Sequence, residues 1–462
     1  MYKITYDGLP VSAVAGASPD GDAGSSRVLP WSANHRALPR QQDKRSSVVP
    51  LFKTDGHSPG PRIVLYSHDT MGLGHVRRNL TIAQTLAGPT LRARVLLITG
   101  ASTVGGLALP KGVDCVTLPA IHKLSNEQYR PRSLELPMGE LTSIRSNIIR
   151  GALEAFVPEF FIVDNVPRGV NGELDDSLQY LRSRGSTTCV LGLRDVIDSP
   201  DAVAAEWGRR GNEACVQQYY DAVWVYGDPR VYDQVKEYGF AKQTASKLRY
   251  TGYLERQPDS PPATGCRQGI AGMNLPLGET LLCMAGGGQD GAMLAQTVCE
   301  AALPGGINTV VLTGPFMPPN IRNQLLDYAA GRPRLRVLEY HPEPMRLLMQ
   351  ADYVVSMGGY NSLSEILSLR KNALIVPRTA PRREQLIRAE RLASLGLVDF
   401  LPTADLTPEA IGRWVSKQAA SPPRAQEIVD FGGLLRIQQF MVELIEARRQ
   451  GTVGSLQKAI VE

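Results

Sequence analysis

The sequence lacks most of the features that would classify it quickly. Cysteine is scarce, with six residues (Cys115, Cys189, Cys215, Cys266, Cys283, Cys299) in 462 and no C-x-x-C pair. Most sit beside apolar residues in runs that read as strands or helices. This favours reduced, buried thiols in a cytoplasmic chain over disulfides or a zinc site. The six histidines are equally scattered, and neither H-x-x-x-H nor H-E-x-x-H occurs, so no metal is expected. No apolar run approaches the ~20 residues that cross a bilayer. The opening MYKITYDGLPVSAVAG has no basic start followed by an apolar core, so no signal peptide is expected. The charge excess is only +5. With no arginine-rich block or aromatic-basic platform, nucleic acid is not an expected partner. Peripheral contact with the inner face of a membrane stays open.

What is present is ordinary for a soluble globular chain: 43% hydrophobic and 21% charged residues. At about 150 residues per domain, two or three units are expected. Residues 1–60 are rich in Ser, Pro, Gly and Asp without sustained periodicity, and read as a mostly disordered or loosely attached tail. From RIVLYSHD onward, continuous apolar runs alternate with amphipathic segments. The first series comprises RIVLY, ARVLLITG, VDCVTLP, EFFIVDN, TTCVLGLRD and AVWVYGD. A stretch KLRYTGYLERQPDSPPATG then reads as a linker. The rhythm restarts with ETLLCMAGGG, NTVVLTGP, RLRVLEY, DYVVSMGG, NALIVPR and VDFLP, and a last helix LLRIQQFMVELIEARR follows. Such runs indicate parallel strands covered on both faces. The expectation is α/β: two doubly wound Rossmann-like domains, 61–255 and 256–462, facing across a crevice. Open parallel sheets bind ligands where their strands end.

Four strand ends carry chemistry. In SHDTMGLGHVRRNL, Gly72 and Gly74 permit a tight turn and put His75 near a helix start. A neutral imidazole there can accept a hydroxyl proton, or it can simply cap the helix. Asp164, in IVDN, and Asp195, in LGLRD, end apolar runs. Either carboxylate can orient His75, take the proton itself, or cap the next turn. In MAGGGQDG, Gly286, Gly288 and Gly291 match G-x-G-x-x-G literally, but the next run ends VVLTGP without the carboxylate a dinucleotide site needs. What survives is a glycine-rich loop, Gly286, Gly287, Gly288 and Gln289, suited to phosphate oxygens or to a structural turn. The fourth is SMGGYNSLSEI, followed one run later by PRTAPRREQLIRAERL. Ser362 and Glu365 have the spacing of an S-x-x-E capping box with Glu365 in the first helical turn. Gly358 and Gly359 can instead bring bare backbone up to an anion.

The pairing of SMGGYNSLSEI with PRTAPRREQLIRAERL, together with GLGH and AGGGQDG, resembles the GT-B glycosyltransferases. The MurG-like family 28 group, which uses UDP-sugars, is the nearest in look. The resemblance covers about residues 61–420 and is strongest in the C-terminal half. It implies a GT-B architecture, with an acceptor domain followed by a nucleotide-sugar donor domain. Glu365 would hold the ribose hydroxyls. Gly358, Gly359, Asn361 and Ser362 would surround the diphosphate, with Gly74 and Gly286 to Gln289 completing the cradle. Glu384 and Gln385 would contact the donor sugar, and Tyr340 and His341 would meet the base. TGYLER is similar to the family's T-G-N-P-V-R, so Arg256 would reach the diphosphate. His75 would be the active-site histidine, with Asp164 or Asp195 next in line as base.

The resemblance thus implies transfer of a hexose or N-acetylhexosamine from a UDP-sugar to an acceptor hydroxyl with inversion. A lipid-linked or glycan acceptor would suit cell-surface polysaccharide, glycolipid or glycoconjugate synthesis. No metal or other cofactor is expected, because the one D-x-D, Asp20-Gly21-Asp22, lies in the tail. The alternatives are a non-hydrolysing UDP-sugar 2-epimerase and a non-catalytic nucleotide-sugar-binding subunit.

Overall fold

Strand β1 (Arg62–Ser67) is buried along nearly its whole length, as a run flanked by helices on both faces must be. The computed structural model describes residues 60–68, 74–101, 109–123, 129–255, 269–341, 343–418 and 429–450. All of these fall within one compact unit, Pro50–Glu462. The expected tail, its D-x-D and Arg256 lie outside the described residues.

The N-terminal sheet also contains β2 (Arg94–Thr99), β3 (Val113–Thr117), β6 (Phe160–Asp164), β7 (Thr188–Arg194), β8 (Ala222–Tyr226) and β9 (Leu248–Tyr250). Its order is β3-β2-β1-β6-β7-β8-β9, and every pairing is parallel. A small antiparallel hairpin, β4 (Ile121–Lys123) with β5 (Tyr129–Pro131), stands apart. The C-terminal sheet has β10 (Thr280–Met284), β11 (Asn308–Leu312), β12 (Leu335–Leu338), β13 (Tyr353–Ser356), β14 (Asn372–Ile375) and β15 (Asp399–Phe400). Its order is β12-β11-β10-β13-β14-β15, again parallel throughout. Both sheets therefore reverse direction in mid-order, between β1 and β6 and between β10 and β13. The strand ends beside those reversals are where a doubly wound sheet leaves a crevice.

Three elements depart from the sequence reading. The stretch read as linker begins with β9, which adds a seventh strand through Leu248, Arg249 and Tyr250. The β4–β5 hairpin leaves no signal in the sequence, because strands of three residues are too short to show a period. The last helix, Gly433–Arg449, falls by sequence in the 256–462 unit but packs on the N-terminal sheet. Gln438 donates to the Thr85 carbonyl, and Arg448 to Thr188 Oγ1 and the Ser186 carbonyl. Phe440 lies against Trp224. Ile437, Phe440 and Met441 thus join Trp224 and Leu254 in one apolar core shared by both sheets. Among the described residues no helix is long and apolar enough to cross a membrane.

Candidate active site

The helix Gly74–Ala87 is the next element after β1, and its first turn lies at the mouth of the N-terminal sheet. His75 Nδ1 lies 2.6 Å from Asp164 Oδ2, at the end of β6. Arg78, one turn further along the helix, grips both oxygens of Asp164 at 2.6 and 2.7 Å and comes within 2.9 Å of the same imidazole nitrogen. An arginine only donates, so the Arg78 and Asp164 contacts at Nδ1 cannot both be hydrogen bonds of one tautomer. The shorter, charge-assisted contact identifies Nδ1–H as the donor to Asp164. Nε2 then carries the lone pair and has no partner among the described residues. Burial alone would raise the pKa of Asp164, but the Arg78 charge and His75 outweigh it and hold the carboxyl well below its usual range. Asp164 is buried and does not reach the cavity; it is the residue that orients the histidine.

Asp195 contradicts the expectation that it could serve as a base. It is fully buried, and Arg388 from the opposite domain engages both its oxygens at 2.7 to 3.0 Å. Tyr253 donates to Oδ2 and the backbone of Val196 to Oδ1. With its lone pairs occupied in a pair that joins the domains, it has no access to a substrate.

Across from His75, the helix Tyr360–Ser368 begins after the three residues that follow β13. The capping-box reading fails here. Gly359 is the cap residue, no side chain caps the helix, Ser362 is its third residue, and Glu365 lies beyond the first turn. The chain turns into the helix because Gly358 has φ +79 and sits where a Cβ would come within 2.7 Å of Ile375. Gly359 is different: its φ of −59 suits any residue, and a Cβ there would meet nothing within 4 Å. Its missing side chain serves open space. The amides of Tyr360, Asn361 and Ser362 have no acceptor among the described residues, while Leu363 already bonds back to the Gly359 carbonyl. A helix start with bare amides facing a cavity attracts anions.

That cavity has two lobes, of about 250 and 290 Å³. They share a waist lined by Gly74, His75, Gly286, Gly287, Gly359, Ser362, Glu384 and Gln385, and also by Arg194 and Arg378. Tyr340, His341, Asn361 and Glu365 line the first lobe alone, and Gly288 and Gln289 the second alone. Of the residues singled out from sequence, Gly358, Asp164 and Asp195 lie behind the wall. Asn361 Nδ2 donates to the Gly74 carbonyl at 3.0 Å, which ties the two helix starts together across the crevice. Gly288 has a packing role as well, since at φ +95 a Cβ would meet the Thr313 carbonyl at 2.3 Å.

Glu384 opens the helix Glu384–Ser394. Its Oε1 accepts from Arg378 at 2.8 Å, while Oε2 is buried without a partner. Burial opposes ionisation, yet the charges of Arg194 and Arg378 pull its pKa down to about 2. Gln385 Oε1 accepts from the Arg378 amide at 3.3 Å, and Arg378 also reaches Asp290 in the glycine loop. The sequence reading passed over Arg78, Arg194 and Arg378. Arg78 was signalled by its i, i+3 spacing from His75 in HVRR, and the other two by their places at strand ends.

Comparison with known proteins agrees with this geometry. Residues 281–429 match the glycosyltransferase family 28 C-terminal domain. Over 120 residues the chain is 31% identical to the UDP-N-acetylglucosamine--N-acetylmuramyl-(pentapeptide) pyrophosphoryl-undecaprenol N-acetylglucosamine transferase of Geobacillus kaustophilus, covering 25% of this chain and 34% of that protein. The enzyme of the same name from Clostridium botulinum is 34% identical over 89 residues, 19% of this chain and 24% of that one. The chain thus spans well under half the length of these two relatives. Among solved structures, the glycotransferase of kitacinnamycin superposes with a TM-score of 0.54 at 16% identity, over 87% of this chain and 98% of that one. A putative UDP-N-acetylglucosamine 2-epimerase from Listeria monocytogenes gives 0.52 at 12% identity, over 85% and 98%. At such identities the structural likeness concerns the fold. The chain has the two-sheet fold of the GT-B proteins it superposes on, and residues 281–429, which include its C-terminal sheet, match the glycosyltransferase family 28 C-terminal domain.

Proposed function

We propose that the protein transfers a hexose or N-acetylhexosamine from a UDP-sugar to an acceptor hydroxyl, inverting the anomeric carbon and needing no metal. The observation that carries this reading is the joint lining of one waist by His75, oriented by Asp164, and by the uncapped start of the helix Tyr360–Ser368. In this reading the nucleoside lies in the first lobe, with Glu365 toward the ribose and Tyr340 and His341 toward the base. The pyrophosphate lies at the waist against the helix start. Gly286 to Gly288 flank it, and Glu384 and Gln385 take sugar hydroxyls. The acceptor enters from the second lobe, beside Tyr129 of the hairpin.

The acceptor oxygen attacks the anomeric carbon from the face opposite the leaving group. His75 Nε2 takes the hydroxyl proton, the bond from the anomeric carbon to the β-phosphate oxygen breaks, and nucleoside diphosphate leaves. Asp164 keeps the imidazole in the productive tautomer and stabilises the imidazolium. The charge gathering on the diphosphate is met by helix amides already in place, which require little reorganisation. A lipid-linked acceptor is in keeping with the pyrophosphoryl-undecaprenol in the relatives' names.

The test is incubation with a panel of nucleotide sugars and hydroxyl acceptors, with and without EDTA, reading nucleoside diphosphate release. Acceptor-dependent release from a UDP-sugar, unchanged by EDTA, is expected. Formation of an epimer without any acceptor would overturn transfer in favour of epimerisation, and loss of activity in EDTA would overturn metal independence.

A further inference from the structure

Arg194 ends β7 at the floor of the crevice and lines both lobes of the cavity. Four guanidinium groups near it have carboxylate partners. Arg78 holds Asp164, Arg378 holds Asp290 and Glu384, Arg382 holds Glu206, and Arg388 holds Asp195. Arg194 does not: its side chain makes no hydrogen bond or ion pair among the described residues, and its Nε is buried without a partner. Even Glu384, the carboxylate that acts on it most strongly, is bonded to Arg378 instead.

Arg194 is partly exposed to the cavity while its Nε is shut away from water without a partner; such a guanidinium is costly, and it persists where something outside the chain completes it. Two features of the waist identify that complement. The amides of Tyr360 to Ser362 open onto the same space, so donors converge there from both domains. The unpartnered Oε2 of Glu384 borders the same waist and can accept only from a donor such as a sugar hydroxyl. A group carrying anionic oxygens with a hydroxylated ring attached would satisfy both.

We infer that Arg194 is the N-terminal domain's ligand to the diphosphate of the donor, binding its β-phosphate opposite the helix Tyr360–Ser368. This rests on the nucleotide-sugar reading above and adds to it a cation that bridges the domains through the leaving group. Desolvation, with the neighbouring cations adding to it, lowers the guanidinium pKa to about 10, which still leaves it charged at neutral pH. Since the phosphate contact comes from one domain and the nucleoside contacts from the other, donor binding would favour the closed crevice.

The test is calorimetric titration of wild-type, Arg194→Lys and Arg194→Met protein with uridine, UMP and UDP, alongside the melting temperature of each unliganded protein. The expected result is a loss of about 10- to 100-fold in UDP affinity for Arg194→Met, the range for one charge-assisted hydrogen-bonding group. Uridine and UMP affinities should be nearly unchanged, and Arg194→Lys should recover part of the loss. The unliganded Arg194→Met protein should stay folded with a melting temperature only modestly below wild type, because Arg194 makes no hydrogen bond or ion pair among the described residues and its loss removes only its longer-range charge interaction with Glu384. Equal UDP affinity in wild type and Arg194→Met overturns the inference alone. So would a parallel fall in all three affinities with a melting temperature far below wild type, which would mark Arg194 as structural. Failure of wild-type protein to bind UDP would instead overturn the nucleotide reading beneath it.

Discussion

At the scale of single residues, His75 and Asp164 do different work and their variants should separate cleanly. His75 is partly exposed, and its loss leaves no charge stranded. His75→Ala should lower turnover by about 100-fold or more, the range for a general base, while the melting temperature stays close to wild type. Asp164→Ala removes the one carboxylate that Arg78 holds among the described residues, leaving a buried guanidinium unpaired. That should cost about 3–5 kcal/mol of stability in denaturant titration as well as the activity. Glu384 makes a prediction in pH. Its folded pKa of about 2 lies below the ordinary 4.5, so its ionised form stabilises the fold fully above pH 4.5 and progressively less as pH falls toward 2. The stability gap between wild type and Glu384→Gln should therefore be widest near neutrality and close across that acid window. These roles were only half legible in the sequence. A histidine after the first strand stands out. Which of two strand-end aspartates serves it does not, because that depends on which side of the sheet each carboxylate meets an arginine.

At the scale of elements, the start of the helix Tyr360–Ser368 sets the chemistry, and its two glycines have opposite reasons for being there. Gly358→Ala meets both a left-handed φ and the Ile375 side chain, and should lower stability by about 1–3 kcal/mol. Gly359→Ala meets neither, so it should fold with an unchanged melting temperature. It would, however, place a methyl group in the space before the bare amides and weaken UDP binding. Equal destabilisation by the two changes would contradict the assignment of open space to Gly359. The sequence pattern S-x-x-E suggested a capped helix beginning three residues later. The pattern misled because a capping box needs its serine outside the helix, and the two glycines let the helix begin at Tyr360, before Ser362. The strands themselves were legible, since runs such as EFFIVDN and TLLCM are buried on both faces and are uninterrupted in sequence.

At the scale of the whole molecule, the two sheets are held together by more than the crossing chain. Arg388 and Asp195 form a fully buried pair between domains, and Tyr253 and the Gly358 carbonyl add bonds to it. The last helix returns to the N-terminal sheet. Arg388→Met alone should destabilise by about 3–5 kcal/mol, and Arg388→Met with Asp195→Asn should recover much of that loss. Additive losses in the double variant would show that the pair does not act as a unit. None of this could be read from the sequence. A partner 193 positions away leaves no local trace, and an amphipathic final helix has the same periodicity whichever domain it packs on.

The central claim is that one waist holds a nucleoside diphosphate between the helix start at Tyr360 and the histidine at position 75. A crystal structure with a bound UDP-sugar tests it most directly. Phosphate oxygens within hydrogen-bonding distance of the Tyr360, Asn361 and Ser362 amides are expected, with the anomeric carbon facing His75 Nε2. A uridine nucleotide seated elsewhere, or a waist still filled by the protein's own side chains at saturating ligand, would contradict the account.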